Sequence, residues 1–365
     1  MRKLSLYTCW FLCKQRPHHF VEALLTEGYD IQVFAPRSLR AHNPLPPGKC
    51  RVPLSARFMI SSRFERLPMV RTYNSAQARR LLDEFVSSEA DCHIFQAPPL
   101  ELPRKPAYLI YDCMDNWAAF PGAAEGMAGR EAQLCDAADR IWVTSRGLAA
   151  RMHGKFASKL EYLPNAADVG HFQSVPAMKV RKSRPALGFV GWMGEWLDDE
   201  LIAAVSRLLR GWDILMVGPD RLTRKQKAGL RQPNIRCLGA KAYEDLPAFL
   251  ANVDVAMIPL RLNDLVRCVN PVKLYEYLAA GIPVISTPLP EVVPYSEEGV
   301  LECASEPLEF ARAAARLLAN PQGARCQEIA RNNSWRARFL PAIARAARLR
   351  ECAMSSVRPG IGACR

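Results

Sequence analysis

No stretch of this sequence is long and apolar enough to cross a bilayer. The best run, Leu246 to Leu260, is broken by Asn252 and Asp254, and a span needs about 20 apolar residues. No cleavable leader is expected either. Arg2 and Lys3 precede an apolar run from Leu4 to Cys13, but Ser5, Tyr7 and Thr8 interrupt it. Lys14-Gln15-Arg16 then stands where a small-residue cleavage pattern belongs, so the run reads as a first buried strand. The 12 cysteines contain no Cys-x-x-Cys pair and no Cys/His set at zinc spacing. No metal site is therefore expected. Cys9 and Cys13 read as core, and the cysteines together as buried, reduced thiols of a cytosolic protein. No nucleic-acid-binding module is recognisable, so no nucleic-acid partner is expected despite the basic balance.

Acid is scarce in two segments. Residues 37–80 hold ten Lys/Arg against Glu65 alone, and residues 321–365 hold nine Arg against two Glu. The net charge of +13 comes from these two segments, the rest of the chain being −3. Such segments attract anions, whether lipid or phosphorylated substrate, or are simply a solvated basic surface. Otherwise the balance of 49% hydrophobic and 23% charged residues is globular, and 365 residues suit about two domains.

Strand and helix patterns alternate along the chain. Strands are expected at Leu4–Cys9, Asp30–Ala35, Cys92–Gln96, Ala107–Tyr111 and Arg140–Thr144. Helices are expected at His19–Glu27, Ser75–Ser87, Gly126–Ala138 and Arg146–Phe156. A Pro-rich basic stretch separates Pro36 from Pro68. The polar residues 173–185 carry no apolar periodicity and read as a linker. The alternation restarts with strands at Ala186–Val190, Asp213–Val217, Ile235–Leu238, Val253–Pro259 and Pro283–Ser286. Helices fall between them, and helices at 307–319 and 324–352 close the chain, the last restarted or kinked at Pro341. Two successive βαβ arrays mean two doubly wound parallel-sheet domains. Their ligand sites lie beyond the carboxyl ends of the strands, with the cleft between the domains the natural place. The expected division is residues 1–172, a linker at 173–185, residues 186–335, and a closing helix and tail at 336–365 that packs back toward the first domain.

One segment is specific. Asn270-Pro271-Val272-Lys273-Leu274-Tyr275-Glu276-Tyr277, continuing through Ala280-Gly281-Ile282-Pro283, resembles the donor-binding signature of the family 4-like GT-B glycosyltransferases. Leu163-Pro164-Asn165-Ala166-Ala167-Asp168 with Phe172, Asp254-Val255-Ala256-Met257-Ile258-Pro259 and Gly188-Phe189-Val190-Gly191 are similar to further pieces of that family. Tyr111-Asp112-Cys113-Met114-Asp115 and Lys14-Gln15-Arg16-Pro17-His18-His19 resemble a polysaccharide-assembly subgroup. The physics agrees with the resemblance. The first-turn N–H groups of a helix entered through Pro271 are unpaired and suit a diphosphate. Lys273 gains nothing from the helix dipole there, and a phosphate gives it a reason. Glu276 lies on the same face, where it can accept from ribose hydroxyls. The plainer alternative is a surface ion pair between the two.

The resemblance implies a GT-B fold and a hexosyltransferase, retaining and metal-independent, with a nucleotide-diphosphate sugar as donor and no cofactor. Its acceptor would be a glycan or lipid-linked molecule, in cell-surface or exopolysaccharide assembly. The implied donor site comprises Gly218, Gly239, Asn270, Pro271, Lys273 and Glu276. Two departures matter. Cys268 stands where the family often has a Glu, so that Asn270 or Asp264 would take over its sugar contact. Trp192 follows Gly191 where the family often has Arg, so the diphosphate cations are expected to be Lys273, Arg267 and Arg16. On the acceptor side Asp112, Asp115 or His18 would hold hydroxyls or act as base, with N-capping as the competing reading of the aspartates. The chain would be cytoplasmic, peripheral on the inner face of the cell membrane through residues 37–80. A nucleotide-sugar epimerase of the same fold and a degenerate, glycan-binding subunit are the alternatives.

Overall fold

The computed structural model describes residues 1–8, 14–37, 54–60, 64, 67–99, 101–102, 104–120, 123–179 and 182–356. Cys9 and Cys13, most of the Pro-rich stretch, two residues of the expected linker and the tail after 356 lie outside them. The chain forms two compact units. The first contains Met1–Thr144, Leu148–Leu163 and Arg336–Arg365, and the second Ser145–Gly147 and Pro164–Trp335.

The first unit is built on seven parallel strands: β1 (Lys3–Tyr7), β2 (Asp30–Arg37), β3 (Leu54–Phe58), β4 (Cys92–Phe95), β5 (Leu109–Cys113), β6 (Arg140–Val143) and β7 (Leu160–Tyr162). Their order is β3-β2-β1-β4-β5-β6-β7, with Leu4 paired to Ile31 on one side and Cys92 on the other. The order reverses between β1 and β4, which makes the loops after these strands a topological switch point. The central strands are covered on both faces and therefore read as apolar runs. The second unit repeats the plan with β8 (Ala186–Val190), β9 (Asp213–Val217), β10 (Ile235–Cys237), β11 (Val255–Ile258), β12 (Val284–Ser286) and β13 (Leu301–Cys303). The order is β10-β9-β8-β11-β12-β13, all parallel, and reverses between β8 and β11.

Several boundaries differ from the sequence reading. Helix α1 runs Arg16–Thr26, starting three residues early. Pro17 fits its first turn because no N–H is needed there, and Gln15 and His18 form a capping box. Helix α2 runs Pro68–Ser87, again entered through a proline. β5 lies two residues later than expected and takes in Asp112. The last expected helix is two, Gly323–Asn332 and Trp335–Ser356. The break is at Ser334, whose neighbours exchange backbone bonds with Ala167. Pro341 sits inside the continuous second helix.

Residues 173–185 are not a free linker. Val175 lies in the second unit's core, and Lys182 donates to the Asn252 carbonyl and the Asp254 carboxylate, both at 2.6 Å. The chain leaves the first unit at Leu163–Pro164 instead. It returns at Arg336, where Phe339 buries its ring edge-on against Phe20 at 4.9 Å. Arg336, Arg345 and Arg350 pair with Glu27, Glu161 and Asp91. Much of the charge at this end of the chain is thus matched within the unit. The eight cysteines among the described residues are free thiols, and Cys237 and Cys352 are exposed rather than buried. Among these residues no helix is long and apolar enough to cross a membrane.

Candidate donor site in the second unit

Three glycines close the ends of neighbouring strands. Gly191 follows β8, Gly218 follows β9, and Gly239 lies just past β10. All three have positive φ, of 143°, 145° and 74°. The Gly191 N–H donates to the Val217 carbonyl at 2.9 Å, and the Gly218 N–H to the Gly239 carbonyl at 2.9 Å. A Cβ on Gly218 would lie 1.8 Å from the Gly191 oxygen. Only glycine permits this approach, and it leaves a bare backbone shelf at the carboxyl edge of the sheet.

The helix Val272–Ala279 brings side chains to that shelf. Pro271 is its N-cap. Tyr277 anchors it, the Val190 N–H donating to the phenol oxygen at 2.7 Å. Lys273, in the first turn, reaches the glycine loop. Its Nζ is 5.5 Å from the centre of the Phe189 ring, and a Cβ on Gly191 would stand 3.4 Å from it. Lys273 is half-buried, and burial lowers its pKa while Glu276 works against that. A cation held at a cost in hydration, beside unpaired helix N–H groups, is suited to an anion. Glu276 is half-buried one turn on. Burial raises its carboxyl to about 7, Lys273 lowers it and Asp168 adds to the rise. Although the two influence one another, no ion pair joins them among the described residues, so the plain surface-bridge reading fails.

Asn270 has a different part from the one expected. Its Nδ2 donates to Glu291 at 3.0 Å and to the Tyr275 hydroxyl at 3.2 Å. Its Oδ1 accepts from the Asn165 N–H at 3.2 Å, and its carbonyl accepts from Asn165 Nδ2 at 2.7 Å. The amide is thus committed to shaping the loop rather than to a sugar. Glu291 and Asn165 were missed as site-builders. The only signal was position: Glu291 follows β12, and Asn165 sits in the stretch matching the end of the family's first domain. Arg267 is exposed in the one-turn helix Val266–Cys268, and Asp264 is exposed as well. Another cation went unnoticed. Arg221 stacks its guanidinium on the Trp192 ring at 4.1 Å, next in the chain to Gly191.

In the first unit Arg16, expected as a diphosphate cation, and Asp112, expected on the acceptor side, are paired with one another. Arg16 donates to Asp112 through Nε at 3.0 and 3.2 Å and through an Nη at 2.8 Å. Gln96 adds a bond at 3.0 Å. All three are buried at the switch point. A buried fork of this kind is satisfied within the protein, and breaking one side costs about 3–5 kcal/mol. Asp112→Ala should therefore lower the unfolding free energy measured by chemical denaturation by that amount. A variant of unchanged stability with lost turnover would restore the catalytic role. His18 is buried, its Nδ1 accepting from the Gln15 N–H at 3.2 Å. Burial, with His19 next, pushes its pKa down to about 4. It is neutral and helix-capping, not a base tuned near neutrality. Trp117 is buried against Phe120. Asp115 remains. It is half-buried beyond β5, and burial raises it to about 7.

Taken with the two Rossmann-like sheets, this arrangement defines a GT-B fold, and residues 184–320 match the family model described as "Glycosyl transferases group 1". The chain has a GT-B fold, and most of its second unit is similar to the group 1 glycosyl transferases. It is 26% identical to the "Putative teichuronic acid biosynthesis glycosyltransferase TuaH" of Bacillus subtilis (strain 168), over 63% of this chain and 64% of that one. The match thus spans just under two thirds of the curated relative. Among solved structures, sucrose-phosphate synthase from Thermosynechococcus elongatus superposes with a TM-score of 0.71 at 14% identity, over 96% of this chain and 100% of the other. HepE from Anabaena, in complex with UDP and glucose, gives 0.68 at 13%, over 95% and 99%.

Proposed function

We propose that the protein is a hexosyltransferase taking its sugar from a nucleoside-diphosphate donor bound by the second unit. One observation carries the reading: Lys273 leaves the first turn of its helix to lie against the glycine shelf, with Glu276 one turn behind. A diphosphate on the helix N-terminus and Lys273 would place the ribose toward Glu276, whose carboxylate accepts from its hydroxyls. Arg221, stacked on Trp192, is a further cation of the same loops. The reading is supported by the group 1 match and by the nucleotide and sugar named in the HepE complex.

In the proposed reaction the bond from the anomeric carbon to the phosphate oxygen breaks and a bond to an acceptor hydroxyl oxygen forms on the same face. The acceptor proton goes to the departing diphosphate. Lys273 and the helix N–H groups stabilise the charge that develops there, more strongly than in the ground state. This route uses no metal and no cofactor. Asp115, the one acidic candidate of the β5 end not spent on Arg16, would hold the acceptor hydroxyl. With Asp112 in an ion pair and His18 held neutral, the acid–base groups that an epimerase needs are fewer, which favours transfer. A lipid-linked or glycan acceptor in surface-polysaccharide assembly fits the name carried by the Bacillus relative.

Thermal unfolding with UDP, GDP, ADP and dTDP tests the donor site. One of them should raise the midpoint, since ligand at a hundred times its Kd stabilises by about 2.7 kcal/mol. That shift should vanish in Glu276→Ala. No shift with any of the four would overturn the donor reading.

A further inference from the structure

The sequence puts an indole, not a cation, directly after Gly191 of the glycine shelf. The structure shows what that indole holds. The guanidinium carbon of Arg221 lies 4.1 Å from the centre of the Trp192 ring, a cation–π stack at contact distance. Arg221 comes from the loop after β9, the one that Gly218 opens. Neither loop is loose. The Met193 N–H donates to the Pro219 carbonyl at 3.0 Å, and the Arg221 N–H returns a bond to the Met193 carbonyl at 2.8 Å. Trp196 Nε1 donates to the Trp192 carbonyl at 3.1 Å. Further along, the Arg261 N–H donates to the Trp196 carbonyl at 2.8 Å. The loop that carries Trp192 is therefore stitched to the loops after β9 and β11, and the stack stands on a fixed backbone.

The stacked guanidinium is not spent. Asp220, its neighbour in the chain, pairs with Lys227 at 2.8 Å and accepts from the Leu222 N–H at 2.9 Å. Among the described residues the Arg221 side chain makes no ion pair and no hydrogen bond, and it is exposed. Arg261 shows the contrast. It donates to the Asp199 carboxylate at 2.6 Å and to the Leu197 carbonyl at 3.2 Å, so its work is structural. The face of an indole takes none of a guanidinium's N–H donors, which stay available in one plane. A side chain ordered beforehand also loses less entropy when it binds. Lys273 lies against Gly191, and Arg221 against the ring of the next residue. A point charge and a planar fork thus flank one peptide of the shelf. A diphosphate carries more charge than a single ammonium balances, and gains more as it departs.

We propose that Arg221 is a ligand of the donor diphosphate, sharing it with Lys273, and that Trp192 is the positioning residue that holds the guanidinium there. The inference rests on the donor reading above and adds to it the group that completes the charge balance.

The test is calorimetric titration of the full chain with the nucleoside diphosphate that stabilises it and with the corresponding nucleoside. In Arg221→Ala the diphosphate should bind about ten- to a hundredfold more weakly, the range for hydrogen bonds involving a charged group, while the nucleoside binds as before. Trp192→Leu should lose a similar amount. The double variant should lose no more than Arg221→Ala, because the indole acts through the guanidinium. Trp192→Phe keeps an aromatic face and should keep most of the affinity. Without ligand, Arg221→Ala should melt with the unaltered protein, since the side chain is exposed. Unchanged diphosphate affinity in Arg221→Ala would overturn the proposal and leave the donor reading intact. Equal losses for nucleoside and diphosphate would overturn it too, because Arg221 would then serve the base. So would a loss in Trp192→Leu that adds in full to that of Arg221→Ala. If the unaltered protein binds no nucleoside diphosphate, the donor reading and this inference fall together.

Discussion

Alanine at Glu276 is expected to reduce turnover at limiting donor by a factor of about a hundred or more while leaving the protein folded. Each hydrogen bond to a charged group contributes about 1.5–3 kcal/mol, and a ribose offers the carboxylate two. The folded state has no need of this charge. Burial holds the Glu276 carboxyl near 7, above its value of about 4.3 in an unfolded chain. Between these values folding retains a proton that the unfolded chain gives up, so stability falls as pH rises through the window. Above about 7 the ionised, buried carboxylate costs stability. Glu276→Gln should therefore melt no lower than the unaltered protein at pH 8, and if anything higher. Binding has the opposite sign. The carboxylate is the better acceptor, so nucleotide affinity should climb as pH passes through about 7, and Glu276→Gln should flatten that rise. Calorimetric titration across this range, with melting curves in parallel, is the measurement. Near-normal turnover in Glu276→Ala would remove this residue from the site.

Loss of Lys273 should fall chiefly on kcat. Its ammonium stands where charge is expected to grow on the departing diphosphate, and removing one such preorganised group costs about 10²–10³ in rate. Lys273→Ala should show that loss under saturating donor. Lys273→Arg should recover little, since a planar fork does not replace a point charge lying against Gly191. A change confined to KM would mean that Lys273 binds donor and transition state alike.

The second unit was the more legible in sequence. Ala186–Val190 and Asp213–Val217 were bounded to the residue, because strands covered on both faces are unbroken apolar runs and glycine marks where they stop. The motif helix is entered through Pro271 as expected and ends at Ala279. Sequence could also place Lys273 and Glu276 on one face of it, since that follows from local spacing. The first unit was harder. An aspartate inside an apolar run reads as the end of a strand, so Asp112 was set beyond β5 rather than within it. Its partner Arg16 is 96 residues away, and no local pattern records a pairing at that distance. His18 read as a cleft residue because Pro17 conceals a helix start. β3 was missed since Leu-Ser-Ala-Arg-Phe on an edge has little alternation to show. The bonds of Asn270 to Asn165 and Glu291 join it to positions 105 and 21 residues away, which no local pattern records.

The return of the chain at Arg336 bears on how the protein is made. The second unit is almost one continuous stretch and can close once Trp335 has left the ribosome. The first cannot. Phe20 and Trp142 meet at a tilt in its interior, their ring centres 6.2 Å apart, and the ring that completes this cluster, Phe339, comes some 200 residues after Trp142. At synthesis rates of about 5–20 residues per second, the half begun first stands open for many seconds and is finished last. Its apolar interior stays incomplete until the final helix arrives.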